Sequence, residues 1–285
     1  MRWKGNRQSE NVEDRRGGGY RPGGRSIGIG TIAIALLASY FLGVDPGTVI
    51  GMLAGGPAPS QIEQPARPLP ADDETARFVA TVLADTEDVW STIFRASGND
   101  YPEPRLVLFS GQTPTACGTG QSASGPFYCP ADQKVYIDLG FFQLMKQRFK
   151  VSGQFAQAYV IAHEVGHHVQ NVTGIMRQVE SARGRASQSQ ANALSVRVEL
   201  QADCFAGVWA RNAHKARNIL ENGDIEAALN AATAIGDDAL QKQAQGYVVP
   251  DSFTHGSSAQ RVRWFKRGID SGQISACDTF SATTL

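Results

Sequence analysis

The spacing of apolar and polar positions predicts a folded unit over residues 71–285 that contains more helix than strand. Two runs rich in β-branched and aromatic residues, Arg105–Ser110 and Lys134–Leu139, predict strands. The Gly-, Ser- and Thr-rich residues 112–130 between them predict a loop. Helical spacing recurs in six stretches, at residues 74–90, 141–149, 155–173, 193–213, 223–243 and 257–267. The pattern therefore predicts the α+β class, mostly helical with a small antiparallel or mixed sheet.

The first 70 residues follow a different pattern. Residues 1–26 are charged and Gly-rich with almost no aliphatic side chains, which predicts a disordered cytoplasmic tail. Residues 27–44 carry no charge and are just long enough to cross a bilayer as one helix. No basic residue follows until Arg67, so the positive-inside rule predicts a cytoplasmic N-terminus and a periplasmic or extracellular domain. The Pro- and Gly-rich residues 45–70 predict a linker.

Two other interpretations of residues 27–44 are less favoured. A cleaved signal peptide usually has a shorter apolar region, and no small-residue cleavage site follows cleanly. A buried core helix is hard to reconcile with the charged tail beside it. The sequence therefore predicts a single-pass anchor in the bacterial inner membrane.

One predicted helix contains the pattern His-Glu-x-x-His. Residues four positions apart lie on the same helix face, so His163 and His167 can direct two imidazoles at one zinc ion. Glu164 lies beside them, where a general base would take a proton from water. The alternative is a pair of core histidines that only form hydrogen bonds, but burying these polar groups without partners is costly.

Two acidic residues on a later predicted helix, Glu199 and Asp203, are also four positions apart. A catalytic zinc site has three protein ligands and an open fourth position, so Glu199 is the candidate third ligand. Asp203 is placed to accept the free ring N–H of a ligand histidine and orient it. The alternative is a solvated helix face on which these carboxylates pair with Arg197 or Arg211.

The two motifs, His163–His168 and Glu199–Asp203, resemble those of the gluzincin metallopeptidases. The likeness is closer to the bacterial putative neutral zinc metallopeptidase family, which typically has segments like Met1–Arg16 and Phe253–Val262. This resemblance implies a zincin-like fold, one Zn²⁺ ion, and a peptide or protein substrate. In zincins a strand before the motif helix commonly forms the edge along which substrate lies, and Lys134–Leu139 is the expected edge.

His255 is a second candidate catalytic residue, because it lies in the last of these segments. It could donate to the oxyanion that develops when water attacks a carbonyl. Tyr247 is an alternative donor, and a histidine that only holds its own loop is an equally good interpretation.

The four cysteines allow three disulfide pairings. Cys117 and Cys129 flank a short loop, which favours a bridge between them and leaves Cys204 with Cys277. An even number fits an oxidising compartment such as a periplasm, and four unrelated reduced cysteines are the alternative.

Charge argues against a nucleic-acid partner. Residues 45–285 carry 20 basic and 24 acidic side chains, and a mildly acidic domain binds nucleic acid poorly.

These features predict a membrane-anchored zinc peptidase that uses metal-activated water, with Glu164 as general base. The first alternative is a catalytically silent zincin-fold protein that binds peptides or acts like a chaperone. The others are a zinc site that only stabilises the fold, which requires four protein ligands, and a metallohydrolase with a different substrate.

Overall fold

A computed structural model describes residues 1–17, 69–122 and 125–285 of the chain. Within these ranges no helix has the length and apolar character needed to cross a membrane. The predicted span at residues 27–44 and most of the predicted linker lie outside the described residues.

The described part of the chain belongs to the α+β class and is mostly helical. Its eight α-helices are α1 (Glu74–Ala96), α2 (Gly140–Gln147), α3 (Gln154–Val172), α4 (Ile175–Arg183), α5 (Gln188–Arg217), α6 (Asp224–Ala234), α7 (Asp237–Gln245) and α8 (Ser258–Ser271). Its six strands are β1 (Val12–Asp14), β2 (Arg105–Phe109), β3 (Gln112–Thr115), β4 (Gly118–Gln121), β5 (Phe127–Cys129) and β6 (Lys134–Asp138).

Four strands form a sheet in the order β1-β2-β6-β5. The sheet is mixed, which is one of the two types that the sequence predicted. β1 and β6 pair with β2 in parallel, whereas β5 runs antiparallel to β6. The expectation that Lys134–Leu139 forms an edge is wrong, because β6 lies between β2 and β5. Buried Val135 and Ile137 suit this central position, and β5 is an edge of the described sheet.

The prediction of disorder over residues 1–26 is wrong for residues 1–17. β1 pairs with β2 through the register Val12↔Leu106, and the buried Trp3 packs edge-on against Phe78, with 5.4 Å between ring centroids. Glu13 is 6% exposed and its Oε1 lies 2.8 Å from Lys134 Nζ. Composition predicted disorder because this segment has few apolar residues. Its charged side chains nevertheless form ion pairs with residues of the folded unit, such as Glu13 with Lys134 and Arg16 with Asp73. Residues 18–26 lie outside the described residues.

The predicted loop at residues 112–130 contains structure of its own. β3 and β4 pair antiparallel and β5 follows, while residues 123–124 lie outside the described part. The predicted helix over 223–243 is two helices, α6 and α7, because the chain turns at Gly236, where a Cβ atom would lie 2.5 Å from the backbone nitrogen of Ser258.

Both expected disulfides are present, Cys117–Cys129 and Cys204–Cys277. The first joins the β3–β4 connection to β5. The second joins α5 to the chain after α8.

The two motif helices, α3 and α5, pack against each other at the core of the unit. Their contact is close at Gly166, where an added Cβ would lie 3.0 Å from the carbonyl oxygen of Ala202. A glycine in the middle of a helix normally costs about 0.5–1 kcal/mol relative to alanine. Here it allows the two backbones to approach beside the motif residues.

Candidate metal centre

Local sequence explains why both helices extend through the motif positions. α3 follows Gly153, whose φ of 111° favours glycine, and its interior is largely apolar and buried. α5 begins at a capping box in which Ser187 and Gln190 satisfy each other's backbone N–H groups. It ends at Asn218 in a left-handed conformation, so the helix continues uninterrupted through Glu199 and Asp203.

The structure brings His163, His167 and Glu199 together. One ligand atom from each residue lies within 4.8 Å of the others. The Nε2 of His163 is 3.2 Å from one oxygen of Glu199, and the Nε2 of His167 is 3.4 Å from the other. The histidines are 6% and 8% exposed, so the group is buried but not sealed.

These distances fit a zinc ion. Donors about 2.0–2.1 Å from a tetrahedral ion lie roughly 3.3 Å from one another, close to both histidine–glutamate separations. The ring Nδ1 atoms of His163 and His167 face the acceptor oxygens of Asp203 and Gln170, at 2.9 Å each. Protons on Nδ1 leave the Nε2 lone pairs free toward the Glu199 carboxylate. Lone pairs and a carboxylate that converge in this way require a cation or added protons between them.

Asp203 accepts several hydrogen bonds at the rear of His163. Its Oδ1 lies 2.9 Å from the ring Nδ1 and accepts a bond of 2.5 Å from the hydroxyl of Tyr159. Arg261 donates to both oxygens, from Nε at 2.8 Å and Nη2 at 2.9 Å. Burial alone would raise the pKa of Asp203, but Arg261 and His163 lower it to about 2.

His167 is held by a neutral partner, Gln170. The amide of Gln170 donates to the Val198 carbonyl at 2.7 Å and to Gln201 at 3.0 Å, which fixes its oxygen toward the histidine ring. Gln201 in turn donates to the carbonyl of Cys277 at 3.0 Å. Each of the two histidines is therefore connected to the C-terminal part of the chain.

Charge interactions between these side chains shift the pKa values of His163 and Glu199. Burial would lower the pKa of His163, but Asp203 and Glu199 raise it to about 10. Burial would raise the pKa of Glu199, but His167 and His163 hold it well below its usual range. A divalent cation would take the place of the positive charge that Glu199 and Asp203 favour on His163.

Glu164 is 7% exposed, and within the described chain its carboxylate accepts no hydrogen bond. Burial raises its pKa, partly opposed by His163 and His167. A buried carboxylate that has a raised pKa and accepts no hydrogen bond from its surroundings has the properties of a general base.

His255 lies in a loop fixed by Asp237 at the start of α7. One oxygen of Asp237 accepts the backbone N–H groups of residues 254–256, at 2.6 to 3.0 Å. The other lies 3.2 Å from His255 Nδ1, and this contact raises the pKa of His255 although burial opposes it. The His255 side chain is 52% exposed and its charge reaches Glu199, whose pKa it helps to lower.

Two other side chains fall in different positions. Tyr247, the alternative donor, is 62% exposed in the chain after α7. His168 points away from the candidate metal site, where Tyr128 lies 3.0 Å from Nδ1 and the Pro102 carbonyl 2.6 Å from Nε2. Burial lowers the pKa of His168 to about 4.

Four supporting residues were missed by the sequence analysis: Tyr159, Gln170, Asp237 and Arg261. Helical spacing could have found two of them, because Tyr159 precedes His163 by four positions and Gln170 follows His167 by three. Arg261 lies in the segment Phe253–Val262 that carries the family resemblance, but nothing in the sequence places it or Asp237 at the site, since both reach it only through the packing of α7 and α8.

Comparison with known proteins agrees with this geometry. A family model described as "Putative neutral zinc metallopeptidase" matches residues 1–280. The chain is 52% identical to the uncharacterized protein YpfJ of Escherichia coli strain K12 over 291 aligned residues, which cover 98% of this chain and 99% of that protein. It is 40% identical to the uncharacterized protein Rv2575 of Mycobacterium tuberculosis strain H37Rv over 266 aligned residues, or 87% and 86% of the two chains.

No solved structure matches the chain. The family model nevertheless extends over both metal motifs, the N-terminal segment and the His255 loop. The chain therefore belongs to the family described as putative neutral zinc metallopeptidases.

Proposed function

We propose that this protein is a zinc-dependent peptidase with a zincin-like fold. The observation that carries the proposal is the convergence of His163, His167 and Glu199 beside Glu164, whose carboxylate has no hydrogen-bond partner among the described residues. Within the described chain this group has three potential ligands, which leaves room for water in a tetrahedral site. A site that only stabilises the fold would need a fourth protein ligand.

The residues that would hold one zinc ion are His163 and His167 through Nε2, and Glu199 through its carboxylate. Bound zinc would supply Lewis-acid chemistry, acidifying water and polarising a substrate carbonyl. Asp203 and Gln170 keep both imidazole rings in the tautomer that presents Nε2.

Glu164 takes a proton from the attacking water and passes it to the leaving amine. Its raised pKa makes the carboxylate a stronger base, which suits the first of these steps. His255 donates from Nε2 to the oxyanion while Asp237 holds the opposite ring nitrogen.

The proposed substrate is a peptide in an extended conformation. β5 is a sheet edge of the described structure, and its Tyr128 contacts His168 and Asn171 on the motif helix α3. A peptide that adds to this edge would find free backbone donors and acceptors near α3.

A variant of the general base tests this function. We expect Glu164→Gln to bind zinc like the wild type but to lose hydrolysis of casein or a peptide library by roughly 100-fold or more. Glu180→Gln, which changes an exposed glutamate on α4, is the matched control and should cleave normally.

Undiminished cleavage by Glu164→Gln would exclude the assigned role. A wild-type protein that binds zinc and peptides without cleaving any peptide in the library would favour the catalytically silent alternative.

We also propose a location at the bacterial inner membrane, with the folded unit in an oxidising compartment. The uncharged residues 27–44 support membrane attachment. The two disulfides support the compartment.

A further inference from the structure

Arg261 is a long cationic side chain that is only 2% exposed, and it lies behind the metal ligands rather than among them. We propose that Arg261 is a positioning residue: it holds Asp203 in the orientation that fixes His163, and thereby strengthens zinc binding. This inference rests on the proposed function, because it assumes that His163 is a zinc ligand.

The contact between Arg261 and Asp203 has the geometry of a fork on a carboxylate. Nε and Nη2 donate to different oxygens, at 2.8 and 2.9 Å, so the plane of the carboxylate cannot rotate freely. The oxygen that receives Nη2 is the one that faces His163 Nδ1 at 2.9 Å. Arg261 therefore determines where this acceptor points.

Tyr159 completes the same network. Its hydroxyl donates to Asp203 Oδ1 at 2.5 Å and lies 3.4 Å from Arg261 Nη2. Asp203 is fully buried, and its negative charge would be costly there without the guanidinium. A lysine could supply a charge at this position but not two parallel donors in a rigid plane.

Close packing of two helices brings Arg261 to this place. An added Cβ on Gly268 of α8 would lie 2.0 Å from the carbonyl oxygen of Cys204 on α5. Arg261 lies two turns before Gly268, and Cys204 follows Asp203 directly. The backbone approach at the glycine therefore sets the distance between arginine and aspartate.

Zinc affinity measured on the full-length chain, by competition with a chromophoric chelator, tests the proposal. We expect Arg261→Met to bind zinc roughly 10- to 100-fold more weakly, the loss typical of partners that orient a metal ligand. Arg261→Lys should give an intermediate loss and covers the case in which Arg261→Met does not fold. Lys266→Met, an exposed change on the same helix, is the control and should leave zinc affinity unchanged.

A double variant separates positioning from a general effect on folding. If Arg261 acts through Asp203, then adding Arg261→Met to Asp203→Asn should change zinc affinity less than twofold. An equal loss in both backgrounds, or wild-type affinity in Arg261→Met and Arg261→Lys, would overturn the proposal. These affinities do not depend on turnover, so a protein that binds zinc but cleaves nothing would contradict only the proposed function.

A second inference concerns the two sides of a membrane. Residues 1–16 and 66–285 belong to one compact unit. We infer that both segments lie on the same side of any bilayer to which the chain is attached. This excludes the predicted arrangement in which a single crossing by residues 27–44 separates a cytoplasmic N-terminus from a periplasmic domain.

Many contacts along the N-terminal segment carry this inference. Besides β1 in the sheet, Ser9 donates to the buried carboxylate of Glu87 at 2.5 Å, and Asn11 donates to the same oxygen at 2.9 Å. Arg16 pairs with Asp73 of the second segment at 2.6 Å. A segment on the other side of a bilayer could make none of these contacts.

Thiol labelling of the full chain in cells tests the inference. The four native cysteines are paired, so a membrane-impermeant maleimide reports a single added cysteine. Lys4→Cys and Lys266→Cys change two exposed lysines, one in each segment. We expect both to label in spheroplasts, or both only after lysis. The inference would be overturned if one of these cysteines were labelled in spheroplasts and the other only after lysis. It would also be overturned if Lys4 were absent from the mature chain.

Discussion

At the scale of residues, the two ligand histidines are held by different chemistry. His163 faces an ionised carboxylate that Arg261 stabilises, whereas His167 faces the neutral amide of Gln170. A carboxylate partner makes an imidazole a stronger base than an amide does, so the two ligands would differ in basicity. His255 also has a carboxylate partner, Asp237. The pH dependence of the reaction can separate the role of His255 from the roles of His163 and His167.

Asp237→Asn should lower the rate at alkaline pH. Asp237 raises the pKa of His255, so the imidazolium that we propose as the oxyanion donor persists to higher pH. As pH rises through that raised pKa, the proton and the rate are lost. In Asp237→Asn the alkaline limb of the kcat/KM profile should move to lower pH, with a loss of roughly tenfold on that limb.

Zinc content should stay at the wild-type level in Asp237→Asn, because Asp237 contacts no ligand. The comparison variant is His255→Ala. Adding Asp237→Asn to His255→Ala should cause no further change in the alkaline limb of the kcat/KM profile. An unchanged profile in Asp237→Asn would contradict the assignment of His255 as an oxyanion donor.

At the scale of elements, the site depends on how closely α3 and α5 approach, and the N-terminal segment adds the strand β1 to the sheet. The helices and main strands were predictable because their periodicity is local: α3, β2 and β6 lie where the pattern indicated. β1 was not predictable, because three residues in a charged segment become a strand only by pairing with β2.

Gly166→Ala should weaken zinc binding without removing any ligand. The new methyl group would lie 3.0 Å from the Ala202 carbonyl oxygen and 3.1 Å from its Cα, which is tight enough to move α5. Glu199 precedes Ala202 by less than one turn, so its carboxylate would shift from the two imidazoles.

We expect zinc affinity in Gly166→Ala to fall by roughly tenfold or more, as measured by chelator competition. Gly184→Ala, where the nearest atom is 3.7 Å from the added Cβ, provides the control. Equal affinity in all three proteins would show that the α3–α5 distance is not critical.

Acid should loosen the N-terminal strand. Burial would raise the pKa of Glu13, but Lys134 and Arg15 hold it below its ordinary value of 4.5. A lowered folded-state pKa contributes stability that is complete above 4.5 and is lost as pH falls through the folded value. We therefore expect amide hydrogens of β1 to exchange faster as pH falls below about 4.5, after correction for intrinsic rates.

Glu13→Gln should exchange faster at neutral pH and lose this additional acid dependence. A β1 segment with the same protection in both proteins at every pH would show that the Glu13–Lys134 pair contributes nothing.

At the scale of the whole molecule, the residues that the sequence predicted for a metal site do come together, whereas less of the architecture around them was predicted. His163, His167, Glu199 and Asp203 were found because each pair has helical spacing, and both disulfides followed from sequence separation and elimination. Two further contacts, that of Arg261 with Asp203 and that of Cys277 with Gln201, come from α8 and the C-terminal segment, whose positions depend on tertiary packing. The N-terminal segment was predicted to be a separate tail because its pairing with β2 is also a tertiary contact that no local pattern shows.

Anomalous X-ray scattering at the zinc absorption edge, from crystals of the whole zinc-loaded chain, tests most directly whether these residues bind zinc. We expect one peak, bounded by Nε2 of His163, Nε2 of His167 and a carboxylate oxygen of Glu199, with no fourth protein ligand. Three results would contradict this expectation: a peak enclosed by four protein side chains, Glu199 turned away from the peak, or no peak between these residues.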